Sequence, residues 1–122
     1  MKPELDSGKS IFLQIADGIE DDILQHILEE EMQVPSTNQL ALLYQINPAT
    51  AAKGINLLIG QGILYKKRGI GMFVSSGAAK KIRSKRKTAF YDKYMLPLLD
   101  EAAALHISKD EIIEMINMTD EK

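Results

Sequence analysis

The stretch VPSTNQLALLYQINPATAAKGINLLIGQGILYKKRGIGMFV, residues 34–74, decides the fold. It opens on Pro35 and Ser36 with Gln39 three residues later, the spacing of a capping box: the Ser side chain accepts from an otherwise orphan helical amide and Gln reaches back to the Ser amide. A helix over residues 37–44 is expected. Gln45 and Ile46 then lead to Asn47-Pro48, where Asn47 caps and Pro48 takes the first helical position, at which its missing amide costs nothing. The second helix runs to about Gly60. So short a connection forces the two helices to meet at a sharp angle, burying Leu40, Leu43, Ile46, Ile55 and Leu58 against the first helix of the chain, the pattern of a helix-turn-helix. After Gln61-Gly62 the period turns extended. Ile63, Leu64 and Tyr65 read as one strand, Met72, Phe73 and Val74 as another, and KKRGIG between them as a glycine-bearing basic turn.

Upstream, Ile11, Ile15, Ile19, Ile23 and Ile27 recur at steps of four, widened by Phe12, Leu24 and Leu28 into one face of an amphipathic helix. Asp17, Glu20, Asp21 and Asp22 are assigned to its solvated face. Neighbours in a helix point about 100° apart, so Asp21 and Asp22 do not converge on a metal or a reaction. Residues 1–9, with Pro3 and Gly8, read as a loose arm, and residues 29–31 as acids beyond the helix end.

Downstream, the chain is helical again from Ala78. It opens with KKIRSKRK, residues 80–87, and continues with an apolar stripe of Phe90, Tyr91, Tyr94, Met95, Leu98, Leu99, Ala102 and Leu105, which Pro97 should kink or split. Ser108 and Glu111 form a second capping box, opening a last helix with Ile112, Ile113, Met115 and Ile116 on one side. Two helices of this size cannot close a core alone. They bury their stripes on the preceding elements or, as the preferred reading, on a second copy of the chain. The expected architecture is mainly α with a small β-hairpin: a winged helix-turn-helix over residues 1–76, then a two-helix dimerisation tail over residues 77–122.

The 122 residues are 45% hydrophobic and 26% charged, which excludes wholesale disorder and a large multidomain enzyme. No cysteine is present, removing disulfides, thiolate metal sites and cysteine nucleophiles. No apolar run approaches the roughly 20 residues a membrane span needs and no charged-then-apolar leader opens the chain, so a soluble, cytoplasmic protein is expected. The net charge of −2 hides a division. Between Met32 and Tyr91 there is no acid, yet Lys53, Lys66, Lys67, Arg68, Lys80, Lys81, Arg83, Lys85, Arg86 and Lys87 fall there; all 17 acids lie elsewhere. A merely solvated surface mixes signs, so this stretch points to a polyanionic partner, against the alternative of a compositional fluctuation neutralised in space by the acidic helix.

The second helix of a helix-turn-helix enters the major groove with its N-terminal residues nearest the base edges. Here these are Asn47, Ala49, Thr50 and Lys53. Asn47 caps the helix or pairs with adenine; Ala49 offers a methyl or close approach; Thr50 offers a hydroxyl to base or phosphate. Lys53, the one charged residue of that helix, is assigned to DNA over an idle surface role. Ser36 and Thr37 stand at a helix N-terminus, where free amides and the dipole favour phosphate, although Ser36 caps with or without DNA. Lys66, Lys67 and Arg68 meet the backbone, and the small Gly69 and Gly71 let the tip enter a minor groove. Residues 80–87 read equally as a backbone contact or as a solvated linker; with Ile82 as their sole apolar residue they make a poor membrane anchor.

These residues carry a resemblance. The ordered set of PS, NPxT, Gly62, the RGxG turn and FV, preceded by IFLQI at residues 11–15, resembles the DNA-binding domain of the GntR family of bacterial transcription regulators over about residues 10–76. The NPAT motif with Lys53 and the short tail is similar to the YtrA-type subfamily, which implies dimerisation through two C-terminal helices and, often, control of transporter operons. The family's usual DNA-touching arginine is replaced by Asn38, its acids before the glycine by Ile59 and Gln61, and its glycine-containing turn before PS by residues 29–33. Ala52 stands where many relatives have arginine.

The expected function is that of a homodimeric, sequence-specific repressor reading an inverted repeat of double-stranded DNA, with no cofactor and no metal. A winged-helix protein-interaction module is the rival. An enzyme lacks support, since two distant histidines, His26 and His106, and no nucleophile-base pattern offer no mechanism. A tail of about 45 residues is too small to enclose a metabolite as larger relatives do, so any effector, whose identity is unknown, would bind at the dimer interface.

Overall fold

The computed structural model describes Leu5 and residues 8–120; most of the expected N-terminal arm lies outside the described residues. The element order is α1 (Ile11–Leu24), α2 (Thr37–Tyr44), α3 (Pro48–Gly60), β1 (Leu64–Lys67), β2 (Gly71–Val74), α4 (Ala78–Phe90), a π-helical turn (Tyr91–Met95), α5 (Leu96–Ala104) and α6 (Lys109–Met118). They form two compact units divided between Ser84 and Lys85, within α4.

In the first unit, Ile15, Ile19 and Ile23 of α1, Leu40 and Tyr44 of α2, and Ala51, Ile55 and Leu58 of α3 share one core with Ile63 and with Leu64 and Val74 of the hairpin. The α1 stripe is shorter than expected. The helix ends at Leu24, His26 turns left-handed at φ 62°, and the amides of Ile27 and Leu28 both return to the Asp22 carbonyl. That reversal satisfies orphan carbonyls and leaves Ile27 exposed while Leu28 is buried. Ile11, the first residue of α1, is exposed too. The acids also depart from expectation: Glu20 is 1% exposed and Asp22 6%, because the buried face of α1 is wider than the isoleucine stripe and takes in Ala16, Glu20 and Asp22 beside Ile15, Ile19 and Ile23. Asp22 faces Tyr44, whose phenol is raised above its ordinary pKa by burial and by that carboxylate. Leu43 is exposed, since Leu40, Ala41 and Tyr44 already occupy the inward face of α2.

Helices α1 and α3 meet at Gly54. A Cβ there would stand 2.8 Å from the Phe12 carbonyl oxygen and 3.2 Å from Ile15 Cβ, so the crossing depends on a missing side chain. Gly54→Ala should lower stability by about 1–3 kcal/mol through overpacking. At Gly60, where an added Cβ meets nothing within 4 Å, the same change is expected to be neutral or stabilising by up to about 1 kcal/mol. Urea midpoints check the pair; an unshifted midpoint for Gly54→Ala would mean the helices can separate freely.

The hairpin is antiparallel in the register Tyr65↔Phe73 and Lys67↔Gly71, so its connection is tighter than the expected KKRGIG turn. Only Arg68, Gly69 and Ile70 lie outside the strands. The Ile70 amide closes on the Lys67 carbonyl at 3.0 Å around Gly69 at φ 77°, a conformation glycine adopts without cost. Ile63 lies just before β1, its amide bonded to the Leu58 carbonyl at the end of α3. Residues 31–34 run beside β2: Glu31 N–H donates to Val74, Val74 N–H to Met32, and Val34 N–H to Met72. Residues 31–34 therefore give the hairpin an extra edge.

The opening of α4 belongs to this unit. Ala78 and Ile82 are fully buried in its core, and Lys81 Nζ donates to the Gly62 carbonyl at 3.0 Å. The first half of the basic run is thus anchored in this unit through Ile82 and Lys81, while Lys80 and Arg83 stay exposed.

In the second unit Pro97 does not break the helix. It brings no N–H for the carbonyl four residues earlier and its ring crowds that carbonyl. The chain widens by a residue ahead of it, with the Leu96 amide reaching back to Tyr91, and α5 starts with proline in its first turn. His106, left-handed at φ 58°, ends α5, and the Ser108–Glu111 capping box opens α6 as expected.

Candidate nucleic-acid interface

Both helix starts of the helix-turn-helix are built by their own side chains. Ser36 Oγ accepts from the Gln39 amide at 3.1 Å, and Ser36 N–H donates to Gln39 Oε1 at 2.7 Å. The hydroxyl proton of Ser36 is left to donate outward. Asn47 Oδ1 accepts from the Ala49 amide at 2.8 Å. Asn47 caps, and its amide nitrogen carries two donors that this bond does not use. Between the helices Gln45 takes the left-handed conformation at φ 55° where a tight turn more often has glycine.

On α3 the inward positions Ala51, Gly54, Ile55 and Leu58 leave Ala49, Lys53 and Asn56 exposed on one face, with Thr50 half-buried beside them. Asn56 was not singled out by the sequence. It lies one turn beyond Lys53 on that face, a signal available from the helical period once the buried positions are known. On α2, Asn38 is exposed and Thr37 half-buried. Lys53 Nζ rests 4.1 Å from the centroid of the Phe12 ring on α1.

In the hairpin Lys66, Lys67, Arg68 and Gly69 are exposed and Gly71 is half-buried. The alternation of a strand puts Tyr65 and Lys67 on one face: Tyr65 stacks on Phe73 with centroids 5.9 Å apart, and Lys67 Nζ lies 4.5 Å from the Phe73 centroid. Glu31, on the neighbouring edge, accepts from the Tyr65 hydroxyl and holds that phenol above its ordinary pKa. Gln33 Nε2 donates to the Ile70 carbonyl at 3.1 Å, bracing the tip from beneath Gly71. Glu30 Oε1 accepts from the Gly77 amide at 2.6 Å and so fixes the turn into α4. The acids of residues 29–31 are thus partly absorbed in holding the hairpin. Helix α2 packs on α3 and β1 packs on α3, so the assigned residues Ser36, Thr37, Asn38, Asn47, Ala49, Thr50, Lys53, Lys66, Lys67, Arg68, Gly69 and Gly71 all belong to one compact unit.

The second unit holds the other assigned set. Phe90, Tyr91, Tyr94, Leu98, Leu105, Ile113 and Ile116 are exposed, Met95, Leu99 and Ile112 half-buried, and Ala102 buried. The Phe90 and Tyr94 rings lie 5.4 Å apart. Leu98, Ala102, Leu105, Ile112, Met115 and Ile116 line a cavity of about 320 Å³ between α5 and α6. Among the described residues no helix is long and apolar enough to cross a membrane.

Three helices, a tight turn between the second and third, and a two-stranded wing define a winged helix-turn-helix. Residues 12–74 match the family of bacterial regulatory proteins, gntR family. The chain belongs to the GntR family. It is 40% identical to a putative transcriptional regulator of that family from Bacteroides thetaiotaomicron, whose structure aligns with a TM-score of 0.74 over 88% of this chain and 93% of that one. The uncharacterised HTH-type transcriptional regulator YhcF of Bacillus subtilis is 27% identical over 116 residues, 95% of this chain and 94% of its own. AraR(DBD), solved in complex with operator ORX1, is 26% identical with a TM-score of 0.53 over 62% of this chain and 92% of that one. Against the Staphylococcus aureus regulator NorG, 30% identical over 92 residues, the chain spans only 21% of the relative's length.

Proposed function

We propose that this protein is a sequence-specific, DNA-binding transcription regulator of the YtrA-type, acting as a homodimeric repressor on an inverted-repeat operator, with a transporter operon as its target. The observation that carries the reading is the exposed N-terminal face of α3. Asn47, Ala49, Thr50 and Lys53 are presented there, in one unit with a basic wing and inside sixty residues without an acid. The structure of AraR(DBD) with its operator supports it by likeness of this unit. The match of YhcF along nearly its whole length supports the short-tailed organisation.

Base contacts from Asn47 and Thr50, joined by Asn56, would specify sequence while cations supply most of the affinity. With few long side chains on α3, DNA shape and the wing share the specificity. The apolar stripe of the second unit, from Phe90 to Ile116, serves as the dimer interface in this reading. It is too large an exposed set for a solitary helix pair.

Selection of bound fragments from genomic DNA tests the proposal. The expected product is a two-fold symmetric site whose half-sites lie about one helical turn, roughly 34 Å, apart. Enrichment of no duplex at low ionic strength would sink DNA binding and leave the protein-docking reading. Asymmetric sites bound by a monomer would sink the homodimer alone.

A further inference from the structure

We infer that Phe12 is a positioning residue for Lys53: its ring holds the lysine ammonium at the seam of α1 and α3, ready to meet DNA. This rests on the DNA-binding reading above. Lys53 is the one charged residue of α3 and lies on its exposed face. A lysine in that place ordinarily spends its time over many rotamers, and fixing it on a partner costs up to about 2 kcal/mol of side-chain freedom. Here the Nζ sits 4.1 Å from the Phe12 centroid, within the range in which a ring face attracts a cation.

The close approach that makes this possible is built in. Gly54, next in sequence to Lys53, lets α3 come so near that even a Cβ would lie 2.8 Å from the Phe12 carbonyl oxygen. A bulkier residue at 54 would push Phe12 away from the lysine. Phe12 itself is only half-buried, so one part of the ring packs while another stays open to the cation.

The arrangement is compatible with DNA. An ammonium carries three donors, and a ring beneath it leaves the others pointing outward to a phosphate or a base acceptor. Part of the ordering cost is therefore met before DNA arrives, and affinity gains accordingly. Phe12 itself touches no nucleic acid; it acts wholly through Lys53.

The test is a double-mutant cycle on the duplex recovered by genomic selection, using Phe12→Leu, Phe12→Met, Phe12→Tyr, Lys53→Ala and the Phe12→Leu/Lys53→Ala pair. Thermal melting verifies that each variant is folded. Both non-aromatic variants should bind about two- to fivefold more weakly, the worth of an exposed cation–π contact, with an unchanged salt slope. Phe12→Tyr should bind as the parent does. In the Lys53→Ala background Phe12→Leu should have no further effect. In the free protein, the Lys53 ε-methylene protons should move downfield by NMR when the ring is removed. Additive losses, or non-aromatic variants that bind like the parent, would overturn the inference while leaving DNA binding intact. A parent protein that ignores every duplex overturns both, and an NMR shift that Phe12→Leu leaves in place removes the clamp itself.

Discussion

Replacing Ile82 by alanine is expected to destabilise the protein by about 2–5 kcal/mol, the range for emptying a well-packed aliphatic site. So large an effect is unusual for a residue in the middle of KKIRSKRK. It follows from complete burial: Ile82 has no exposed surface and packs in the core that also holds Ala78, Val74 and Ile63. Its neighbours fix the helix from outside, with Lys81 bonded to the Gly62 carbonyl and Glu30 to the Gly77 amide. Relaxation into the vacated space would have to move both ties, which places the cost above the low end of the range. Arg83→Ala, one residue away and exposed, should change stability by no more than about 0.5 kcal/mol. Urea unfolding of the pair measures the difference. Equal midpoints would mean that α4 does not belong to the first unit's core and that the basic run is a solvated connection after all.

The two helix starts of the helix-turn-helix were legible because each rests on local chemistry: Ser36 with Gln39, and Asn47 with Pro48, satisfy orphan amides within a few residues. The same holds for Ser108 with Glu111. What the sequence hid depends on partners distant along the chain. Glu20 and Asp22 sit beside Ile19 and Ile23 at the border of the apolar face, and only the packing of other elements decides that they are covered. The edge pairing of residues 31–34 with β2 joins segments some forty residues apart, and nothing in EEEMQV announces a strand. Pro97 signalled a disturbance correctly, but the choice of a widened turn over a break lies in backbone geometry. At the candidate site the capping role of Asn47 was one of two open readings, and both survive, since the cap uses its oxygen and leaves its nitrogen. Asn56 belongs to no motif, and its place beside Lys53 shows only once the buried positions of α3 are known. The aromatic resting places of Lys53 and Lys67 were equally unreadable, each requiring a ring from another element.

Salt should act on DNA binding more strongly than any single substitution on the DNA-facing surface. If the proposed dimer neutralises six or more phosphates, its affinity for the selected duplex should fall about a thousandfold or more between roughly 50 and 200 mM salt, with a slope near −0.9 per phosphate. Which cations set that slope can be separated. Lys66, Lys67 and Arg68 flank or form the wing tip and are exposed. The stacking of Lys67 on Phe73 uses a ring face and leaves its ammonium able to donate. Changing all three to Gln should therefore flatten the slope by about 0.9 for each phosphate no longer neutralised, and twice over in a symmetric dimer. Lys81→Gln should flatten the slope less than a wing change does, because the Gly62 carbonyl just past α3 holds one of its donors, and its removal should appear in stability as well. Lys85, Arg86 and Lys87 lie past the boundary of the first unit, and their neutralisation decides between backbone contact, which flattens the slope, and connection, which does not. A wing triple variant with the parent's slope would remove the hairpin from the DNA surface and leave α2 and α3 to carry the binding alone.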